Sequence, residues 1–570
     1  MTWLLAAAIL GGATAPESGY EDRLVAWALE RSGRELAPAP EGLVVEEVVL
    51  VTDDVFAPTD PYPTFLNVFH TRTLDPVVRR EVLLAPGQRY DAALAQETER
   101  NLRKLFFLAV AKVVAAQGRA GGVALVVATK DKWSLRLSNS FTLVGSLLQY
   151  LTLQLTEANF LGRGQSLSGG TTVRLDTFSL NLTFIEPRLL DSRVYLGATG
   201  SVVFNRQTGA PEGTSGELLV QRPLATLDQA WAFVFDNTWN VQRKRVYRGA
   251  EVWQLPYPDS SSGATLPYVY DVRDLASEAA LTRSFGRAVK LDVTAALGAY
   301  QRHYAPPHES ALGAEQVAWL EANWLPRSET ATYASASARA YEANYRVLRN
   351  FETYELSEDF QLGWSGTATA RWAFPSPVSS ASFVELSLAV KHRLYAADNL
   401  LVVSAAGAVR LRPGELPANR HLAVELVNYS PTFYGGRFVA RLLVDLIADD
   451  LDHRRLLLGG STGLRGTPPE QLMGRNLVLA NVEYRLKPIE VLASWLGIVL
   501  FYDVGSAFDL SPVLTHTTGV GLRLMLPQLN RDVIRLDVGL VIGGPPPGPG
   551  TFNASWGQVT ALRPAFLDSP

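Results

Sequence analysis

Leu457-Leu-Gly-Gly-Ser-Thr-Gly-Leu-Arg-Gly466, Leu477-Val-Leu-Ala-Asn-Val-Glu-Tyr-Arg485 and Phe501-Tyr-Asp-Val-Gly505 decide how this chain is read. In the middle segment Val478, Ala480, Val482 and Tyr484 alternate with Leu479, Asn481, Glu483 and Arg485. A period of two marks a strand with one apolar and one polar face. The first segment is a glycine-flanked arginine in a loop, and the third is a strand whose polar face carries Asp503. A loop arginine followed by strands that present Glu483 and Asp503 points to one enclosed ion-pair site. Arginine suits that role because its planar guanidinium holds a carboxylate through two parallel hydrogen bonds. Gly463 and Gly466 would let the loop turn on either side of Arg465, and Gly505 would leave space beside Asp503.

The same alternation runs through most of the chain. From Trp133 onward, Leu135 and its odd-numbered neighbours are mostly apolar, and Phe178, Leu180, Leu182 and Phe184 oppose Ser179, Asn181 and Thr183. Val384, Leu386, Leu388 and Val390 oppose Glu385, Ser387 and Lys391, and Ile534, Leu536, Val538 and Leu540 oppose Arg535 and Asp537. In a soluble sandwich the apolar faces would form the core. In a membrane barrel they would meet lipid, and the charged faces would line a hydrated interior, because Lys or Arg at the bilayer midplane costs about 2–4 kcal/mol. The length of the pattern, with few helical segments and no second core-forming element, favours the barrel.

Composition agrees. Hydrophobic residues make up 47% of the 570 residues, yet after the first fifteen no apolar run approaches the roughly 18 residues of a membrane helix. Aromatics at 10% and 45 glycines suit aromatic girdles and frequent turns. A net charge of −4 argues against nucleic acid as a partner, and the absence of cysteine excludes disulfides, thiolate metal sites and a lipidated N-terminal cysteine.

The N-terminus opens with the apolar Trp3-Leu-Leu-Ala-Ala-Ala-Ile-Leu10 and small residues ending Ala13-Thr14-Ala15. This reads as a signal peptide over 1–15, with a buried helix as the competing reading and no basic residue ahead of the apolar stretch. Residues 16–42 form a linker with a short amphipathic helix over 21–34. Residues 43–131 follow the order β-α-α-β-β: strand Leu43-Val-Val-Glu-Glu-Val-Val-Leu-Val51, a helix opened by Asp75 as N-cap and Pro76, a second helix from Asp91, and strands over 109–116 and 123–128. A generic α+β adaptor would share this order. The large β domain spans 132–560, and 561–570 is a C-terminal extension.

The order GG…LRG…G…ExR…FxDxG resembles the C-terminal barrel of the BamA/TamA family of outer-membrane assembly and translocation proteins. Asn159-Phe160-Leu161-Gly162-Arg163-Gly164-Gln165 is similar to the family's turn after the second barrel strand, Glu186-Pro187 to its later proline turn, and Thr551-Phe-Asn-Ala-Ser-Trp-Gly-Gln558 to its closing strand. Residues 43–131 resemble a single POTRA domain, through Arg79-Arg-Glu-Val-Leu83 ahead of Pro86-Gly87 and Leu102 with Leu105-Phe106. The resemblance implies a mostly β chain: a transmembrane antiparallel barrel of about sixteen strands behind one small α+β domain. It implies a lumen lock of Arg465, Gly466, Glu483, Phe501, Asp503 and Gly505, with the arginine tucked against the Phe501–Gly505 strand. It also implies a weak seam between 133–144 and 551–559, and a client-binding strand edge at Ala109, Val110, Ala111 and Val113.

The implied function is non-enzymatic: insertion of β-barrel proteins into the outer membrane of a Gram-negative-type bacterium, or polypeptide translocation across it, with the small domain in the periplasm. Nascent outer-membrane or secreted polypeptides, outer-membrane lipid, and accessory periplasmic or lipoprotein subunits are the implied partners, with no cofactor and no metal. A two-partner secretion transporter, a passive pore or an enzyme on the same barrel are the alternatives. Three motifs look chemical. Gly459-Gly-Ser461-Thr-Gly463 fits the hydrolase pattern G-x-S-x-G, but Pro468-Pro469 follow where that elbow needs a helix. Asp445, Asp449, Asp450 and Asp452 lack calcium-loop spacing, and His303 and His308 lack a carboxylate at helical spacing, so both groups read as loop residues.

Overall fold

The computed structural model describes residues 19–57, 60–144, 147–248, 251–258, 265–307, 312–468, 470–545, 550–556 and 558. The signal-peptide segment, the Gly145-Ser146 turn, His308 and the C-terminal extension lie outside them.

The small domain is a three-stranded sheet in the order β1 (Val45–Asp53), β3 (Val123–Asp131), β2 (Leu108–Gln117), with β1 parallel and β2 antiparallel to β3. Every residue of β3 is buried, which is why Val123-Ala-Leu-Val-Val-Ala128 is continuously apolar: it is covered on both faces. One face packs on helices α2 (Asp75–Arg79) and α3 (Ala92–Arg103) through Val77, Val78, Ala95 and Leu102. Asp91 caps α3, accepting the backbone N–H groups of Ala93 and Leu94 at 2.7 and 3.2 Å. At α2, Asp75 lies inside the first turn and Leu74 takes the cap position without a side-chain bond.

The other face packs on helix α1 (Tyr20–Ser32) and continues into the barrel. Tyr20, Leu24 and Ala28 share one buried cluster with Val126 and Ala128 of β3 and with Tyr354, Leu356, Trp495 and Met525 of the large domain. Polar contacts ring the junction. Arg188 holds Glu81 (2.8 and 2.5 Å), Arg103 holds Asp359 (2.8 and 2.6 Å), and the buried Glu21 accepts Ser357 N–H at 2.8 Å. Lys112 and the Ser357 hydrogen bonds hold the Glu21 carboxyl below its ordinary range, overcoming the burial that would raise it.

The large domain is one closed antiparallel barrel in which Leu135–Val144, the first strand, neighbours Thr551–Trp556, the last. Among the described residues, twenty-two strand segments make twenty crossings. Glu329–Glu342 with Asn344–Leu348, and Asn476–Leu486 with Ile489–Val491, are each one strand briefly interrupted. The barrel is therefore wider than the sixteen strands implied by resemblance. Tight turns such as Ala397-Asp398 leave room for the extra hairpins.

The alternating pattern resolves as apolar outside and polar inside. Leu137, Leu182 and Leu297 are 70%, 60% and 66% exposed on the outer face, while Ser179, Asn181 and Thr183 line an interior cavity. A continuous apolar outer band of this kind is a membrane-spanning surface. At the rim away from the small domain, Leu255, Leu266 and Tyr268 pack with Leu320 and Leu325 into an aromatic-rich cluster.

Candidate functional site

The loop between strands Gly436–Ala448 and Asn476–Leu486 folds back into the barrel. Leu458 and Leu464 bury against Leu477 and Leu479, so the inward positions of this strand are apolar beside the loop and polar below it. Gly463 and Gly466 have φ of +120° and +90°, which L side chains rarely adopt, and they place Arg465 between them.

Arg465 is fully buried. Its Nε and Nη2 donate to the two oxygens of Asp503 at 2.8 and 2.7 Å, its backbone N–H donates to Asp503 at 3.1 Å, and Nη1 donates to Glu483 at 2.5 Å. The guanidinium carbon lies 3.7 Å from the centre of the Phe501 ring, so the strand supplies a cation–π face as well as a carboxylate. Asn481 Nδ2 bonds both Asp503, at 2.7 Å, and the carbonyl of Gly463, at 2.5 Å, fixing the loop to the same wall. Gly505 works differently from the expectation. A Cβ there would meet Val478 O at 2.9 Å and the Leu458 side chain at 3.0 Å, so its space is taken by the neighbouring strand and the loop root.

The network continues past the predicted residues. Glu483 also accepts Arg485 Nε at 2.8 Å and lies 3.9 Å from Arg523. Arg523 donates to Asp537 at 2.7 Å, and Asp537 faces Arg535 at 3.2 Å. Arg523 Nε reaches Gln558, just beyond the last strand, at 3.2 Å. The chain of charges thus runs from the lumen loop across three strands to the strand that holds Thr551–Trp556. Sequence reading placed Arg485, Arg535 and Asp537 only on polar faces, and gave Arg523 and Gln558 no role. The available signal was the two-residue spacing of Arg535 and Asp537, which fixes a shared face but not a partner.

The loop also touches the closing strands directly. Thr551 Oγ1 donates to Thr467 O at 3.4 Å. A Cβ on Gly539 would lie 2.7 Å from the backbone nitrogen of Gly466. Gly539→Val is expected to push the loop off this wall at a cost of about 1–3 kcal/mol. It should lower the urea midpoint of the detergent-solubilised protein and expose the loop to protease. An unchanged midpoint and cleavage pattern would contradict the close approach.

The turn at Asn159, Phe160, Leu161, Gly162 and Gly164 docks on the small domain. Asn159 is fully buried, donates to Thr73 Oγ1 at 2.8 Å and accepts Gly164 N–H at 2.7 Å. Leu74 N–H donates to Gly162 O at 2.9 Å, and a Cβ on Gly164 would strike the Phe107 ring at 2.9 Å. Leu161 has φ of +55°, completing a tight reversal, and Phe160 and Leu161 are exposed.

Ala109, Val110, Ala111 and Val113 are buried, and the β2 edge is not open in this arrangement. Ala37 N–H donates to Ala115 O, Gln117 N–H donates to Glu35 O, and the Val113 N–H is taken by Glu99 at 2.9 Å. The chain ahead of β1 folds back over the edge, which the β-α-α-β-β order could not reveal.

The remaining motifs disperse. Gly460–Thr462 is a single 3-10 turn. Asp445 faces His421 at 2.7 Å, Asp449 pairs with Arg420 and Asp450 with Arg454, so the aspartates do not converge. His303 lies on the strand Val289–Ala305 opposite Arg273. Among the described residues no group of three His, Asp or Glu could hold a metal ion.

No protein-family model matches the chain, and no curated protein does. Among solved structures it is similar to CdiB from Escherichia coli, at 12% identity and a TM-score of 0.41, over 96% of this chain and 88% of that one. It is similar to CdiB from Acinetobacter baumannii at 11% identity and a TM-score of 0.38, over 90% and 73%. It is also similar to BamA from Haemophilus ducreyi lacking POTRA domains 1-3, at 12% identity and a TM-score of 0.31, over 90% and 83%.

Proposed function

We propose that this chain is an outer-membrane barrel of the BamA/TamA type that inserts β-barrel proteins or passes polypeptides across the membrane without covalent chemistry. In this reading the small domain is a POTRA-like periplasmic platform, and the clients are nascent outer-membrane or secreted polypeptides. Lipid and accessory periplasmic or lipoprotein subunits are further partners. The observation that carries the reading is the junction of lock and seam. A fully buried ion-pair network ties the lumen loop to the strand beside the closing strand, which spans Thr551–Trp556 among the described residues. In this reading the seam beside that strand is where the barrel opens, at the cost of the backbone hydrogen bonds across it. The energy, in this reading, comes from client folding.

A second reading, a two-partner secretion transporter, is supported by helix α1, which is seated between the small domain and the mouth of the barrel. Depleting the protein and quantifying the outer-membrane proteome separates the two. Insertion predicts a broad fall in barrel proteins, secretion predicts loss of one exported passenger with barrels unchanged, and no change in either would overturn both.

A further inference from the structure

Between helix α3 and the turns at the small-domain rim lies a cavity of about 660 Å3 that the lock and the seam do not use. Lys132, in the short link between β3 and the first barrel strand, lines it and is only 6% exposed. Its amine has no hydrogen bond or ion pair among the described residues. Asp532 is the one acid acting on it, and that lies beyond ion-pair distance, while Arg136 and Arg531 add like charge. An amine on a side chain this buried, at the cavity wall among guanidinium groups, is stabilised by an anion, because a largely buried charge without a partner is costly.

The rest of the lining narrows the anion. Glu352, Glu358, Asp359 and Asp532 face the cavity together with Arg100, Arg103, Lys104, Arg393 and Arg531. Mixed signs disfavour a compact dianion such as phosphate, which the four acids would repel. They suit an extended peptide, whose N–H and C=O groups find acceptors and donors on both sides. The volume is several times that of a single small ion and falls in the range of pockets that enclose organic ligands.

We infer that this cavity is a binding site for a carboxylate of a polypeptide, with Lys132 as the cationic anchor. The polypeptide source rests on the function proposed above, whereas the anion site rests on the cavity and Lys132 alone. Burial first, and then the neighbouring arginines, lower the amine to about 7, so part of it is neutral and nucleophilic at neutral pH until an anion arrives.

The test uses the full-length chain in detergent micelles and fluorescein-labelled peptides of alternating apolar and polar residues. One pair differs as free C-terminal acid against C-terminal amide. A second, amide-capped pair differs as one internal glutamate against glutamine. In at least one pair the acid should bind about tenfold or more tightly than its neutral partner, the gain of a charge-assisted contact. The pair that discriminates identifies a chain terminus or a side chain as the source. Lys132→Gln should abolish the difference and Lys132→Arg should keep most of it. The acid peptide should also protect Lys132 from a small amine-acylating reagent at pH 7. Equal binding of acid and neutral peptides, or a difference that survives Lys132→Gln, would overturn the site while leaving the proteome test of insertion untouched. Displacement of the acid peptide by millimolar inorganic phosphate would overturn the polypeptide assignment.

Discussion

Arg465→Ala is expected to destabilise the barrel by about 3–5 kcal/mol, the cost of leaving a buried charge without its partner. The charge at issue is Asp503, which is fully buried and, once Arg465 is gone, keeps only the 2.7 Å bond from Asn481. Glu483 is less affected, because Arg485 still reaches it at 2.8 Å. The two single mutants should therefore differ. Asp503→Ala leaves Arg465 its 2.5 Å bond to Glu483 and its seat on Phe501, so it should cost less than Arg465→Ala. Arg465→Lys keeps the charge but loses the two-pronged grip and the stacked plane, and should fall between wild type and Arg465→Ala. The double mutant Arg465→Ala/Asp503→Ala removes both ends of the pair and should be milder than the sum of the singles by about 2 kcal/mol. Urea unfolding in detergent and heat-modifiability on a gel measure these differences. A hydrated lumen pair would instead give additive effects of about 1 kcal/mol or less, and the full burial of all three side chains argues against that.

The barrel and the lock were legible in the sequence for local reasons. Alternation such as that of Val384 to Val390 is a property of one strand, and the charge on its other face says which side meets lipid. Arg465 was readable because glycines bracket it and because Glu483 and Asp503 stand on inward faces of strands that pair side by side, with Asn481 opposite Asp503. What failed to show was non-local. Arg523 and Asp537 become partners only once their strands are known to be neighbours, which no spacing within either strand reports. The number of strands depends on turn lengths, and a count borrowed from resemblance fell four crossings short. The closed β2 edge depends on where residues 35–37 travel, and the docking of the Asn159 turn depends on where a separate domain settles. Gly505 was expected to leave space beside Asp503, but the atoms that crowd it belong to Leu458 and Val478.

In the proposed function the seam between Leu135–Val144 and Thr551–Trp556 opens, with the lumen loop bracing it from inside. Because the native chain has no cysteine, any disulfide introduced is the only one present. Leu137 and Phe552 both face outward on the two seam strands, which makes cysteines at Leu135 or Leu137 against Phe552 or Ala554 the pairs to scan for ready oxidation. The decisive measurement is insertion of a client barrel into liposomes that contain the oxidised protein, repeated after reduction. The account predicts that insertion falls to background when the seam is crosslinked and returns when the bond is reduced. Full insertion with the seam quantitatively crosslinked would contradict it.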